Sequence, residues 1–283
     1  VKENEAEKPE PLDIVVTDEE AGESAPTVLS SRSGLSKMRI KDAMAKGAVW
    51  LSRDGRRLGR LRGVTQLLRK GDHLQLFYDE EVLAFVPPEP ALIADLDGYS
   101  VWWKPSGLMT QGSQYGDHAS LERLVLKRFG SKREVFIVHR LDREASGLVL
   151  VAHTSQMAGK LSELFRKNEI EKEYRADVLG SPGTKATIDA ALDDKPAITE
   201  YEVLGFDESE NVAEVRVFIR TGRKHQIRRH FEKIGHPVMG DPRYGDGNKN
   251  REGLRLEAVA LRFICPVTGK RVEYLAPNRL DSK

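Results

Sequence analysis

The stretch Val135-Phe136-Ile137-Val138-His139-Arg140-Leu141-Asp142-Arg143-Glu144-Ala145-Ser146-Gly147-Leu148-Val149-Leu150-Val151-Ala152 sets two apolar runs on either side of a charged turn. The runs, Val135 to Val138 and Leu148 to Ala152, are each a strand's length. An aspartate at the end of two such strands is rigidly aimed. The flanking Arg140 and Arg143 favour an ionised Asp142 that serves as nucleophile or electrostatic stabiliser. A structural turn with ion-pairing arginines is the plain alternative.

Working outward, strands are expected at Tyr99 to Trp103, Tyr174 to Leu179, Thr199 to Gly205 and Val212 to Arg220. In the last of these Val215, Val217 and Ile219 oppose Glu214, Arg216 and Arg220. Amphipathic helices are expected at Ala119 to Phe129 and Thr154 to Arg166, and a further helix from about His225 to Ile234, closed by Gly235. Long strands with few helices and no regular alternation predict an α+β domain, residues 91–283, built on a mainly antiparallel or mixed sheet.

The net charge of +1 hides three segments. Residues 1–33 carry 3 basic and 9 acidic side chains, 34–78 carry 11 and 3, and 79–283 carry 31 and 32. The first, rich in Glu, Pro and Ser, reads as a disordered acidic arm. The second reads as a small basic α/β module of one helix and strands, too small to be stable alone, so that it packs on something or folds on RNA. Lys37, Arg39, Arg56, Arg57, Arg60 and Arg62 are its candidate phosphate contacts. Residues 79–90, with Pro87-Pro88, read as a linker.

Other classes are excluded or disfavoured. No apolar run approaches the length of a membrane span. Cys265 is the only cysteine, which rules out an intrachain disulfide or a cysteine-rich zinc site and fits a reducing, cytoplasmic setting. His225 and His230 lack metal-ligand spacing, so no metal is expected.

Two further clusters carry chemistry. Lys172-Glu173-Tyr174 opens a strand, and Arg220-Thr221-Gly222-Arg223-Lys224-His225-Gln226-Ile227-Arg228-Arg229-His230 runs from a strand end through a glycine turn into a helix. Five basic side chains without an acid usually mark a solvated face. Here backbone donors at a helix start converge with arginine forks, as in a phosphate-holding site. Tyr174 alone reads as a core aromatic.

In sequence order, Lys104-Pro105-Ser106-Gly107, His139-Arg140-Leu141-Asp142 with Ser146-Gly147-Leu148, Lys172-Glu173-Tyr174, and Thr221 to Arg228 leading to Gly235-His236-Pro237 and Gly240-Asp241 resemble the RluA-type RNA pseudouridine synthases. The resemblance spans about 180 residues, roughly Ser100 to Ala276. Residues Gly34 to Tyr78 resemble the small RNA-binding domain of ribosomal-protein-S-four type. Trp103 and Ala145 stand where the family often has Asn and Thr.

The resemblance implies a pseudouridine-synthase-like fold and isomerisation of uridine to pseudouridine in structured RNA, ribosomal RNA ahead of tRNA, by a monomer without cofactor. Asp142 is then the catalytic carboxylate, Arg223 its ion partner and Tyr174 the residue stacked on the target base. Arg140 sits beside the flipped nucleotide, while Lys172 and Arg228 serve phosphate or position Tyr174. A catalytically inactive RNA-binding or ribosome-assembly factor on the same fold is the rival from another class. Phosphotransfer fails because the chain has neither a glycine-rich phosphate loop nor an Asp-Phe-Gly triplet.

Overall fold

The computed structural model describes residues 8–277, which divide into two compact units, residues 8–87 with Gln111–Leu124, and Pro88–Thr110 with residues 125–277. In the first unit, strands β1 (Leu12–Val15), β2 (Val49–Ser52), β3 (Gly59–Arg60) and β4 (His73–Leu76) form an antiparallel sheet in the order β1-β4-β2-β3. Helices α1 (Ala25–Ser33) and α2 (Lys37–Lys46) belong to the same unit. Ser36 caps α2 by accepting from the Arg39 backbone N–H at 3.3 Å, and Gly47, at φ 82°, ends it.

The expected disordered arm is folded over its described part, 8–33; residues 1–7 lie outside the described residues. Its composition conceals two periodicities. Leu12 and Ile14 alternate with exposed Asp13 and Val15, and β1 pairs with β4 in the register Leu12↔Leu76. In α1, Ala25, Val28 and Leu29 share the buried face, with Pro26 in the first turn and Gly34 in the left-handed region at the end. These residues join Val16, Ile40, Met44, Leu74 and Leu76 in one core. The module expected at 34–78 therefore acquires its own core by recruiting the segment before it.

The linker expected at 79–90 is also partly structured. Asp79 caps α3 (Glu80–Ala84) by accepting from the Val82 N–H at 3.0 Å, and Leu83 enters the same core. A later segment completes the unit: the Trp50 indole donates to the Gln114 carbonyl at 3.0 Å and Asp117 N–H donates to Lys46 O at 2.9 Å.

The second unit holds β5 (Ala91–Asp95), β6 (Tyr99–Lys104), β7 (Phe136–Ile137), β8 (Ser146–Ala152), β9 (Glu171–Leu179), β10 (Lys185–Asp189), β11 (Ile198–Asp207), β12 (Val212–Ile219), β13 (Leu256–Ile264) and β14 (Arg271–Leu275). They form a ten-stranded sheet in the order β10-β11-β12-β9-β13-β8-β6-β5, with β14 on β13 and β7 on β8. The pairing is antiparallel except between β13 and β8, so the sheet is of the mainly antiparallel kind expected. Helix α4 (Leu121–Phe129) runs across the boundary between the two sets of residues. Helices α5 (Ser155–Arg166) and α6 (Gln226–Lys233) belong to the second unit, and α5 buries Met157 and Leu161 against Leu148 and Leu150 of β8.

Strand alternation sorts the chemistry. Along β9, Lys172, Tyr174, Ala176 and Val178 share one face, and Glu171, Glu173, Arg175 and Asp177 the other. The second face carries an ion-pair lattice in which Arg262 meets Glu171 at 2.8 Å, Glu173 at 2.9 Å and Glu273 at 2.6 Å. The first face is left for the site. Among the described residues no helix is long and apolar enough to cross a membrane, and no group of three or more His, Cys, Asp or Glu is placed to hold a metal.

Candidate active site

A cleft of about 750 Å³ opens in the second unit where the β7–β8 loop, the first residues of β9 and the turn into α6 converge, with Asp142, Tyr174 and Arg228 among its lining residues. The loop bearing Asp142 is fixed from both sides. The Thr110 hydroxyl donates to the Leu141 carbonyl at 2.8 Å and accepts from the Leu141 N–H at 3.1 Å. Lys104, fully buried, donates to the carbonyls of Leu108 at 2.8 Å and Ala145 at 2.6 Å. Burial pushes its ammonium down to about 8, opposed by the charges of Glu144 and Asp142. At Gly147, φ 136°, a Cβ would stand 2.5 Å from the Ala258 backbone nitrogen, so the β8–β13 pairing requires glycine there.

Asp142 is met by Arg228, whose Nη1 donates to Oδ2 at 3.1 Å. Only 1 % of the Arg228 side chain is exposed, and its opposite edge donates from Nε and Nη2 to the two oxygens of Asp241 at 2.6 and 2.8 Å. Asp241 is itself fully buried and accepts the N–H groups of Arg243 at 2.8 Å and Tyr244 at 3.0 Å. Burial alone would raise its carboxyl, but the Arg228 fork and these backbone donors hold it below the ordinary value. One guanidinium thus bridges a sealed carboxylate and one that faces the cleft.

His225 precedes α6 in the left-handed region, φ 53°, a conformation costly for a residue with a Cβ. It places Nδ1 3.0 Å from the Tyr244 hydroxyl and Nε2 3.7 Å from Asp142 Oδ1. Burial pushes its imidazole down, against the pull of Asp142. Gln226 pins the turn by accepting from Thr221 Oγ1 at 2.6 Å and donating to Ile198 O at 2.9 Å. Tyr174 is 9 % exposed, and burial raises its phenol, with Asp142 adding to the effect. His139, stacked 4.3 Å from the Phe165 ring, accepts from the Leu150 N–H at 2.9 Å, and burial drives it down to about 3. The arrangement presents an oriented carboxylate, a buried aromatic and basic side chains at one cleft.

A family model described as RNA pseudouridylate synthase matches residues 98–233, which contain Asp142, Tyr174 and Arg228. A tRNA pseudouridine synthase C of Haemophilus ducreyi is 34% identical over 201 residues, covering 60% of this chain and 83% of that protein. The chain belongs to the RNA pseudouridine synthases. A ribosomal large subunit pseudouridine synthase D of Zymomonas mobilis is 34% identical over 170 residues, 51% of this chain, and the chain spans about half (53%) of that relative's length. The fold is shared with the human RNA pseudouridylate synthase domain containing 1, TM-score 0.57 at 24% identity, over 68% of this chain and 84% of that one.

In this synthase the six residues expected in the catalytic unit, Asp142, Tyr174, Arg223, Arg140, Lys172 and Arg228, all line the one cleft. The expected Asp142–Arg223 pair is corrected. Arg223 lies before the helix, where its Nε donates to Pro196 O at 3.1 Å, while Arg228, one turn into α6, faces Asp142. Arg140 is exposed at the cleft.

The basic module requires a second correction. Arg60 and Arg62 pair with Asp117 at 3.4 and 2.5 Å, and the Arg60 guanidinium lies 4.3 Å from the Trp50 ring, so both hold their own unit together. Arg39 pairs with Glu80 at 3.3 Å on the surface. Lys37, Arg56 and Arg57 are exposed. Sequence reasoning gave no role to Asp241, Lys104, Thr110, His225 or Tyr244. Lys104 and Asp241 stood in the quoted motifs, and a lone acid after Gly240 near a basic run was the available signal.

Proposed function

We propose that this synthase isomerises a uridine in structured RNA with Asp142 as its catalytic carboxylate. The observation that supports this reading is the Arg228 guanidinium fixed by buried Asp241 and directed at Asp142 beside Tyr174. Isomerisation conserves every atom, so the reading assigns no cofactor. The target nucleotide leaves its helix to reach the cleft, Tyr174 stacks on the base and Arg140 contacts the nucleotide at the rim. The pocket keeps water from the detached uracil, which prevents hydrolysis of the glycosidic bond.

The first unit is assigned sequence-independent affinity for the RNA backbone through Lys37, Arg56 and Arg57, in keeping with its resemblance to the S-four-type RNA-binding domain. Relatives named for tRNA and for the ribosomal large subunit flank the choice of target. We place it in ribosomal RNA because an appended unit with a basic 34–78 segment suits an extended, folded substrate.

The test uses ribosomal RNA and tRNA transcripts carrying tritium at uracil carbon 5, from which isomerisation releases label to water. Wild type is expected to release label from ribosomal RNA, and Asp142→Asn to release none. Release from tRNA alone moves the target. Equal background release by wild type and variant on every transcript overturns the reading in favour of an RNA-binding factor.

A further inference from the structure

Lys172 is the cleft's unexplained charge. Its side chain is 9 % exposed, it lies two residues before Tyr174 on the same face of β9, and it lines the same cleft. Among the described residues no carboxylate or hydrogen-bond acceptor meets its ammonium, and every nearby acid is engaged elsewhere. Glu171 and Glu173, its chain neighbours, point to the other face of the sheet and pair with Arg262. Asp142 pairs with Arg228. His139 feels the Lys172 charge, but it is neutral and accepts the Leu150 N–H, so it offers no countercharge. A buried ammonium without a partner costs free energy in the empty protein. Such a charge lining a cleft marks a candidate functional site, where a ligand can supply the missing partner.

Resting on the isomerase reading, we propose that Lys172 is a catalytic residue whose ammonium meets the negative charge that collects on the uracil carbonyl oxygens as the glycosidic bond breaks. When the bond between N1 and the ribose cleaves, its electron pair stays with the base and spreads over N1 and the two carbonyl oxygens. Lys172 donates a hydrogen bond to one carbonyl oxygen and keeps its proton. The base turns while held by this ion pair and by Tyr174, C5 bonds to the ribose carbon, the C5 proton departs and N1 regains one. The charge is then gone, so the lysine releases the neutral product. This function needs a cation at the floor of the cleft, unlike a phosphate contact, which would sit at the rim with Arg140.

The experiment compares full-length wild type, Lys172→Met and Lys172→Arg on two forms of the same RNA, one with uridine and one with 5-fluorouridine at the target. Methionine retains the apolar stem, and thermal melting checks the fold. Under single turnover, Lys172→Met is expected to slow uridine isomerisation by about 10²–10³-fold, the scale of losing one donor to a developing oxyanion. RNA affinity should stay unchanged, and Lys172→Arg should recover part of the rate.

Fluorine stabilises the uracil anion by itself. Loss of intact 5-fluorouridine from the digested RNA, read by mass spectrometry, should therefore be slowed only about tenfold. Equal slowing on both substrates, an unchanged rate on uridine, or a fall in RNA affinity that accounts for the rate loss would each overturn the proposal. A wild type silent on every transcript overturns the isomerase reading and this proposal with it.

Discussion

Replacing Asp241 with asparagine tests the bridge that aims Asp142. The substitution removes the charge facing Arg228 from a pair whose side chains are 1% and 0% exposed. Breaking a buried pair by removing one partner costs about 3–5 kcal/mol. The amide keeps one acceptor oxygen, and Arg228 retains Asp142 at 3.1 Å and Glu144 at 3.5 Å, so the low end, about 3 kcal/mol, applies. At about 2–4 °C per kcal/mol for a unit of this size, the melting transition of the second unit should fall by about 6–12 °C.

The catalytic effect is separate. An unclamped guanidinium lets Asp142 drift, and a displacement on the order of 1 Å costs about 10²-fold in rate. Both quantities are measured on one preparation, melting by calorimetry and rate by single-turnover tritium release below the new transition. The ordinary carboxyl value is 3.8 and the folded one lies lower, so this stabilisation is complete above the ordinary value and disappears only as pH falls through the folded one. The melting difference between wild type and variant should therefore be the same at pH 6 and pH 8. A variant that melts lower yet isomerises at the wild-type rate would refute the argument that Asp241 aims Asp142 through Arg228.

Three other expectations follow from the charges. His139 falls from 6.5 to about 3 on folding, so the unfolded chain binds the extra proton between those values and stability declines as pH drops through that window. From pH 6.5 to 5 the loss is at most about 2 kcal/mol, since cleft water reaches part of the ring, and calorimetry of His139→Gln should show a flatter acid limb. In the first unit, Arg56→Gln with Arg57→Gln should reduce the salt slope of RNA binding by about one unit for each phosphate no longer neutralised, measured by filter binding. Arg60→Ala with Arg62→Ala should instead lower that unit's melting temperature and leave the salt slope unchanged.

The strands around Asp142 were legible because their apolar runs are short, β-branched and bounded by a polar turn; the observed β8 begins only two residues before the expected Leu148. Alternation likewise placed Lys172 and Tyr174 on one face. The ion partner was not legible, because five basic residues crowd Ile219 to His230 and which of them points at Asp142 depends on where the helix begins. The left-handed His225 sets that start, and an aspartate 13 residues beyond Arg228 selects its rotamer. Composition misled at the N-terminus, where Glu, Pro and Ser dominate and the few apolar residues matter by spacing alone. Strand β13 was missed because its central segment, Ala258 to Leu261, is buried on both faces and lacks alternation.

The segment Gln111–Leu124 belongs by its contacts to the unit that begins the chain, yet it is encoded inside the sequence of the other. The first unit is therefore not a bead on a string. Cutting the chain at residue 88 would leave Asp117 without Arg60 and Arg62, and the Gln114 carbonyl without the Trp50 indole. A recombination event that swapped only the N-terminal stretch would leave the Asp117 carboxylate and the Gln114 carbonyl without their donors and the Asp117 N–H without the Lys46 carbonyl. The two units of this chain are thus committed to being inherited together, and transplanting the first onto another enzyme would require moving two pieces of sequence at once.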